Sequence, residues 1–276
     1  MCKITARKKF LRNVAYMVNN VGFIMRRVLS FLIVLISPLL ANPEKKVEPA
    51  RYKIGVCILA MEGYEAKANE LIESGRRFFC KGHDVTYFVF TDSSKVVEAA
   101  DVVVVKQANY GWPYVVLKRF HAYDDHANLF EKLDYIFSAD ADMVFVDPVG
   151  EEVLSDLVAT QHPAFLRQRG DYENKKISVA YVGPHEGKNY FTSSLFGGNK
   201  EEFLKMLKVL RKQVDMDLEK KFISRWHDQS YLNRYLIDHP PTRILNPSYC
   251  YPEDWQLEFP KKLMAHCKTA SAKRSR

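Results

Sequence analysis

The sequence predicts an α/β fold built on a mixed, mostly parallel sheet flanked by helices. Three observations carry this: short apolar runs rich in β-branched and aromatic residues, amphipathic stretches between them, and polar residues at the end of each run. Two apolar strands joined by an amphipathic helix make a βαβ unit, whose strands run parallel.

Residues 52–60 (YKIGVCILA) read as a buried strand, residues 65–80 as a helix and residues 84–90 (DVTYFVF) as a second strand that runs into Thr91-Asp92. Residues 102–105 are a short third strand, residues 113–130 a helix, and residues 134–138 (DYIFS) a fourth strand leading into Ala139-Asp140-Ala141-Asp142. The later half adds strands over 164–167 and 191–196, a long helix over 200–222 and a helix over 228–237. In such sheets ligands sit at the carboxyl ends of the strands. That places residues 59–64, Thr91-Asp92 and residues 140–142 where a nucleotide and its metal are expected. Neither a GxGxxG nor a GxxxxGKS loop occurs, so a Rossmann dehydrogenase and a P-loop NTPase have no support.

The chain has 276 residues, 47% of them hydrophobic and 27% charged, enough for one sizeable core. A single folded domain is expected over residues 51–276. The net charge of +8 is carried at the ends: Lys3, Arg7, Lys8, Lys9, Arg12, Arg26 and Arg27 stand without an acid before residue 28, and Lys261, Lys262, Lys268, Lys273, Arg274 and Arg276 close the chain. Basic residues confined to the ends argue against a nucleic-acid binder, which needs a basic face with stacking aromatics inside the domain. Residues 28–41 (VLSFLIVLISPLLA) are uncharged and follow Arg26-Arg27, the outline of an export signal or signal anchor. Residues 42–50 follow as a short polar linker, and the protein is expected to be exported or membrane-associated, with the N-terminus on the cytoplasmic side. Cys2, Cys57, Cys80, Cys250 and Cys267 show no metal-ligand spacing and read as structural.

Asp140 and Asp142 leave an apolar strand one residue apart, which aims two carboxylates at one hard cation, Mn²⁺ or Mg²⁺, with diphosphate oxygens completing the shell. Residues 226–230 (WHDQS) place an aromatic platform beside hydrogen-bonding groups at the start of a helix, a suitable surface for a sugar. Asp228 also reads as a simple helix cap. His162-Pro163 and residues 190–198 supply similar groups, each also readable as turn or core.

Taken in order, IGVCILAMEGY, FFCKGHDVTYFVFTD, LDYIFSADADMVFVDPVG, HPAFL, YFTSSLFGG, WHDQSYLNRYL and PSYC resemble glycosyltransferase family 6, over roughly residues 54–274. The resemblance implies a GT-A fold, UDP-galactose or UDP-N-acetylgalactosamine as donor, Mn²⁺, and retaining transfer to a galactose-containing glycan or glycolipid in α-1,3 linkage. It further implies that Leu59, Ala60, Met61 and Tyr64 contact the uridine, that Arg119 approaches the donor, and that Asp140 and Asp142 ligate the metal. Asp228 would bind donor-sugar hydroxyls, His162 and Trp226 would contact the acceptor, and Lys268 and Arg274 would close over the pyrophosphate.

Two departures stand out. Gln229 occupies the position of a glutamate that the family uses as nucleophile or transition-state stabiliser, beside Asp228 as the other candidate catalytic residue and facing the acceptor. An amide is a poor nucleophile, so a front-face route fits better, or else the chain is a catalytically weak glycan- or UDP-binding protein on the same fold. Thr192, Ser193 and Ser194 stand where the family chooses between donors, and leave galactose and N-acetylgalactosamine both open. A metal-dependent phosphotransferase or nuclease lacks the additional acids it would need.

Overall fold

The computed structural model describes residues 50–266 apart from 62 and 97, together with residue 17. The apolar run 28–41, Lys268 and Arg274 lie outside the described residues. Among the described residues no helix is long and apolar enough to cross a membrane.

The βαβ unit forms as expected. Strand β1 (Lys53–Leu59), helix α1 (Glu65–Phe78) and strand β2 (Asp84–Thr91) are followed by β3 (Val102–Lys106), and β1 pairs in parallel with β2 and β2 with β3. Side chains alternate across a strand. Thus Ile54, Val56 and Ile58 enter one core with Ala68, Leu71 and Ile72 of α1, while Cys57 enters the core on the opposite face. Strand β1 is buried on both faces, which is why it reads as a continuous apolar run.

Strand β4 (Tyr135–Asp140) pairs in parallel with the other side of β1, bringing Asp140 level with Leu59. Strand β5 (Met143–Phe145) belongs to a separate sheet with β9 (Tyr251–Pro252) and β10 (Leu263–Ala265). The main sheet continues through β7 (Phe191–Asn199), antiparallel to β4, then β6 (Leu157–Gln161), then β8 (Arg243–Leu245), giving the order β3-β2-β1-β4-β7-β6-β8. A mixed, mostly parallel sheet flanked by helices, consistent with a GT-A fold, is therefore present. Gly197 is demanded by this packing, since a Cβ there would lie 2.3 Å from the Ile136 carbonyl oxygen.

Helices α4 (Lys200–Glu219) and α5 (Asp228–Asp238) cover the second face with Phe203, Leu207, Leu210, Tyr231 and Tyr235. Asn199 caps α4 by accepting the Glu202 N–H at 2.9 Å, the start that Asn-x-x-Glu encodes.

Three expectations are corrected. The strand expected over 164–167 is a 3₁₀ turn, Pro163–Phe165, because Pro163 has no N–H for a sheet and His162 accepts the Ala164 N–H; the strand lies earlier, at β6. The helix expected over 113–130 is broken into α2 (Tyr114–Leu117), α3 (Arg119–Asp124) and a 3₁₀ turn, with Lys118 in non-helical geometry between the first two. The long helix stops at Glu219, where Lys221 adopts φ +56° and the N–H groups of Lys221 and Phe222 return to the carbonyls of Leu218 and Asp217. That is a Schellman ending with lysine at the position usually held by glycine.

Candidate functional site

The parallel strands β1, β2, β3 and β4 share one direction, so Leu59, Thr91, Lys106 and Asp140 lie along one edge of the sheet. Strand β7 runs the other way and contributes its first residues, Phe191 to Ser194, to the same edge. Helix α5 is fastened there by its own amide side chains. Asn233 exchanges hydrogen bonds with both backbone groups of Phe191, at 2.8 Å each, and Gln229 accepts the Ser193 N–H through Oε1 at 3.1 Å.

Arg119 stands at the centre. The break before α3 makes it the first residue of that helix, and its side chain is buried. One guanidinium nitrogen donates to Asp140 Oδ1 at 2.7 Å, the second to the Ser193 carbonyl at 3.0 Å, and Nε lies 3.3 Å from Asp228 Oδ2. This last pair is close without hydrogen-bond geometry: both atoms are buried and neither has a hydrogen-bond partner. Burial pushes the Asp228 carboxyl up to about 6, against the pull of Arg119 downward. Burial also disfavours the Arg119 cation, yet Asp140 and Asp228 together hold its pKa above the ordinary value.

Asp140 ends β4, and Ala141-Asp142 form the turn into β5, so the two carboxylates come from a strand end and a turn rather than from one continuous strand. The Asp142 side chain is largely buried, and its carbonyl accepts the His266 N–H at 3.0 Å. Among the described residues no group of three or more His, Cys, Asp or Glu side chains is placed to hold a metal.

Of the other expected residues, Ala60 and Met61 are buried and Leu59 and Tyr64 partly so, with Tyr64 at the start of α1. The Thr192 and Ser194 hydroxyls bond each other at 2.9 Å, and the buried Cys250 thiol lies 3.8 Å from Thr192 Oγ1. His162 sits with its ring 5.7 Å from Tyr190. Burial lowers its pKa to about 4, and its Nδ1 accepts the Ala164 N–H, which leaves the proton of the neutral ring on Nε2. Trp226 is 45% exposed, its indole N–H held by Asp171 at 3.1 Å. Cys57, Cys80 and Cys250 are free and buried.

Sequence reading missed the connectors. Tyr190 receives the Gln229 amide at 3.0 Å and donates to the Asp171 carbonyl at 3.2 Å, joining α5 to the loop that holds Trp226. Trp112 packs its ring 4.8 Å from that of His227, which adopts φ +50° at the start of α5. No spacing in the sequence announces these contacts, because each joins segments tens of residues apart.

A family model for glycosyltransferase family 6 matches residues 42–275. The chain belongs to that family. Relatives in glycosyltransferase family 6 include the histo-blood group ABO system transferase 1 of Rattus norvegicus, 32% identical over 212 residues, 72% of this chain and 61% of the relative. The globoside alpha-1,3-N-acetylgalactosaminyltransferase 1 of Mus musculus is 29% identical over 218 residues, 75% of this chain and 63% of the relative. Glycosyltransferase 6 domain-containing protein 1 of Mus musculus is 26% identical over 218 residues, with 74% and 69% covered. The aligned part of this family 6 chain thus spans less than two thirds of the length of the first two.

Proposed function

We propose that this chain is a retaining glycosyltransferase that moves galactose or N-acetylgalactosamine from a UDP-sugar to a galactose-containing glycan or glycolipid, forming an α-1,3 linkage. The observation that carries the reading is the buried Arg119 joining Asp140 to Asp228, with the Asp228 Oδ2 atom left without a hydrogen bond. A buried carboxylate oxygen that is ion-paired but makes no hydrogen bond is incompletely satisfied, and a donor-sugar hydroxyl is a group that would complete it. The name of the globoside relative supports N-acetylgalactosamine as a donor and the α-1,3 linkage.

Asp140 and Asp142 suit a hard cation in the mode where one or two carboxylates bind and substrate phosphates complete the shell. The chemistry of this donor set fits Mn²⁺, with Mg²⁺ as substitute. When bound there, the ion supplies positive charge against that of the departing UDP. Arg119 fixes the orientation of Asp140. Gln229 is engaged at both ends of its amide, which supports a front-face route in which the bond between the donor-sugar C1 and the UDP oxygen breaks, the acceptor oxygen bonds to C1 on the same face, and the acceptor proton passes to the departing UDP oxygen. His162 Nε2–H donates to the acceptor, and the exposed Trp226 ring offers it a stacking face. Uridine contacts at Leu59, Ala60, Met61 and Tyr64, and closure by Lys268 and Arg274, belong to the same proposal, as does an N-terminal membrane anchor.

The test is UDP release by the purified full chain with UDP-Gal and UDP-GalNAc in turn, with Mn²⁺ or EDTA, and with lactose or a fucosylated galactoside. Acceptor-stimulated release that vanishes with EDTA and in Asp142→Asn is expected. Mn²⁺-dependent UDP binding without turnover would instead assign the second reading, a UDP- or glycan-binding protein, with the uncharged amide at residue 229 as the cause.

A further inference from the structure

Residues 174–177 and 220–226 come together on the face that carries Trp226. The buried Glu173 carboxylate clamps the two loops, accepting the Lys175 N–H at 2.8 Å and the Arg225 N–H at 2.7 Å, and Lys220 donates to the Ile177 carbonyl at 2.9 Å. The Schellman ending of α4 turns the chain so that Lys221 is exposed.

The two loops contain Lys175, Lys176, Lys220, Lys221 and Arg225 and no acid. Lys220 pairs with Asp217 and Arg225 with Asp171, while Lys175, Lys176 and Lys221 are exposed and form no ion pair among the described residues. The same two loops carry three large apolar side chains in water: Ile177 at 54% exposure, Ile223 at 38%, and Trp226. Single exposed apolar residues are ordinary. Two isoleucines and a tryptophan on two clamped loops, set among uncompensated lysines, are the composition of a surface that lies on a bilayer: aliphatic tips for the acyl boundary, an indole for the headgroup level, and cations for anionic lipids.

We propose that this face docks on an anionic membrane surface. Charge complementarity selects the occupant, since the lysines favour anionic headgroups, whereas aliphatic tips gain nothing from a soluble polyanion. Docking stands independently of the catalytic reading. Its consequence, that a lipid-linked glycan would meet the site beside Trp226 and Asp228, rests on that reading.

The experiment uses the full chain with vesicles of phosphatidylcholine alone or with phosphatidylglycerol, each made with bromine-labelled acyl chains. The contribution of Trp226 to fluorescence quenching is isolated by comparison with Trp226→Phe. Quenching of Trp226 by the anionic vesicles is expected, weak on phosphatidylcholine alone and relieved by salt. Lys175→Glu/Lys176→Glu/Lys221→Glu, three surface changes checked for native circular dichroism, is expected to lower it with an affinity loss of about 100-fold. Comparing quenching rather than total vesicle binding keeps the result separate from any attachment through residues 28–41. Equal quenching in the triple variant, or on neutral vesicles, would overturn the proposal. Self-association of the parent that the triple variant lacks would assign the face to a second copy and overturn it equally. Turnover enters none of these readouts, so loss of the transferase reading would leave this test unchanged.

Discussion

Gln229 and Ser193 are joined by a hydrogen bond of 3.1 Å from the Ser193 N–H to Gln229 Oε1, while the Ser193 carbonyl accepts from Arg119. Ser193 of β7 thus links Arg119 to Gln229 in the first turn of α5, beside the direct approach of Arg119 to Asp228. Gln229 also donates to Tyr190, so neither end of its amide is idle.

For Gln229→Glu, a carboxylate would still accept the Ser193 N–H, and the Tyr190 hydroxyl would turn to donate to it. We expect the fold to persist and kcat to stay within about tenfold of the parent, a barrier change near 1.4 kcal/mol or less. Steady-state kinetics check this, and a rise of several hundredfold would show that the reaction had lacked a carboxylate.

Arg119→Ala leaves Asp140 and Asp228 near each other without their cation. Removing one partner from buried charges typically costs about 3–5 kcal/mol, and urea unfolding of the metal-free protein should show a loss of that order. Arg119→Lys, which cannot reach three directions at once, should recover only part of it.

His162 is held neutral by burial, with its pKa lowered from 6.5 to about 4. The unfolded chain therefore binds the additional proton between these values, so stability conferred by this residue is full above about pH 6.5 and is lost as the pH falls toward 4. Thermal melts of the parent and His162→Gln across this window should converge at the acidic end. Unchanged spacing between the two curves would contradict the assignment.

Lys221 holds φ +56° at the end of α4. Glycine adopts this conformation without the Cβ conflict, so Lys221→Gly should stabilise the protein by up to about 1 kcal/mol. The midpoint of denaturant unfolding reads this directly. A decrease would mean that the lysine side chain contributes more than its backbone costs.

Much of the fold was legible because its signals are local. The runs that became β1, β2 and β4 are apolar on both faces, α1 and α4 have apolar stripes, and Asp140 follows its strand without interruption. The family motifs were legible for the same reason, each being a contiguous string. Where local signals conflicted, the reading failed. Residues 164–167 look apolar enough for a strand, but Pro163 and the His162 cap decide for a turn, and the continuous helix over 113–130 gives way at Lys118.

The sequence by itself determined the α/β class, the strands that became β1 to β4 and β7, the family, and the candidate residues Asp140, Asp142, Asp228 and Gln229. Only the tertiary structure decided that Arg119 binds both Asp140 and Asp228, that Tyr190 anchors Gln229, and that Glu173 clamps two basic loops. The physical reason is range. Propensity and periodicity act over a few residues, whereas a buried charge can take any partner the packed chain brings within about 3–4 Å, and that choice is made only when the sheet and its covering helices have closed around it.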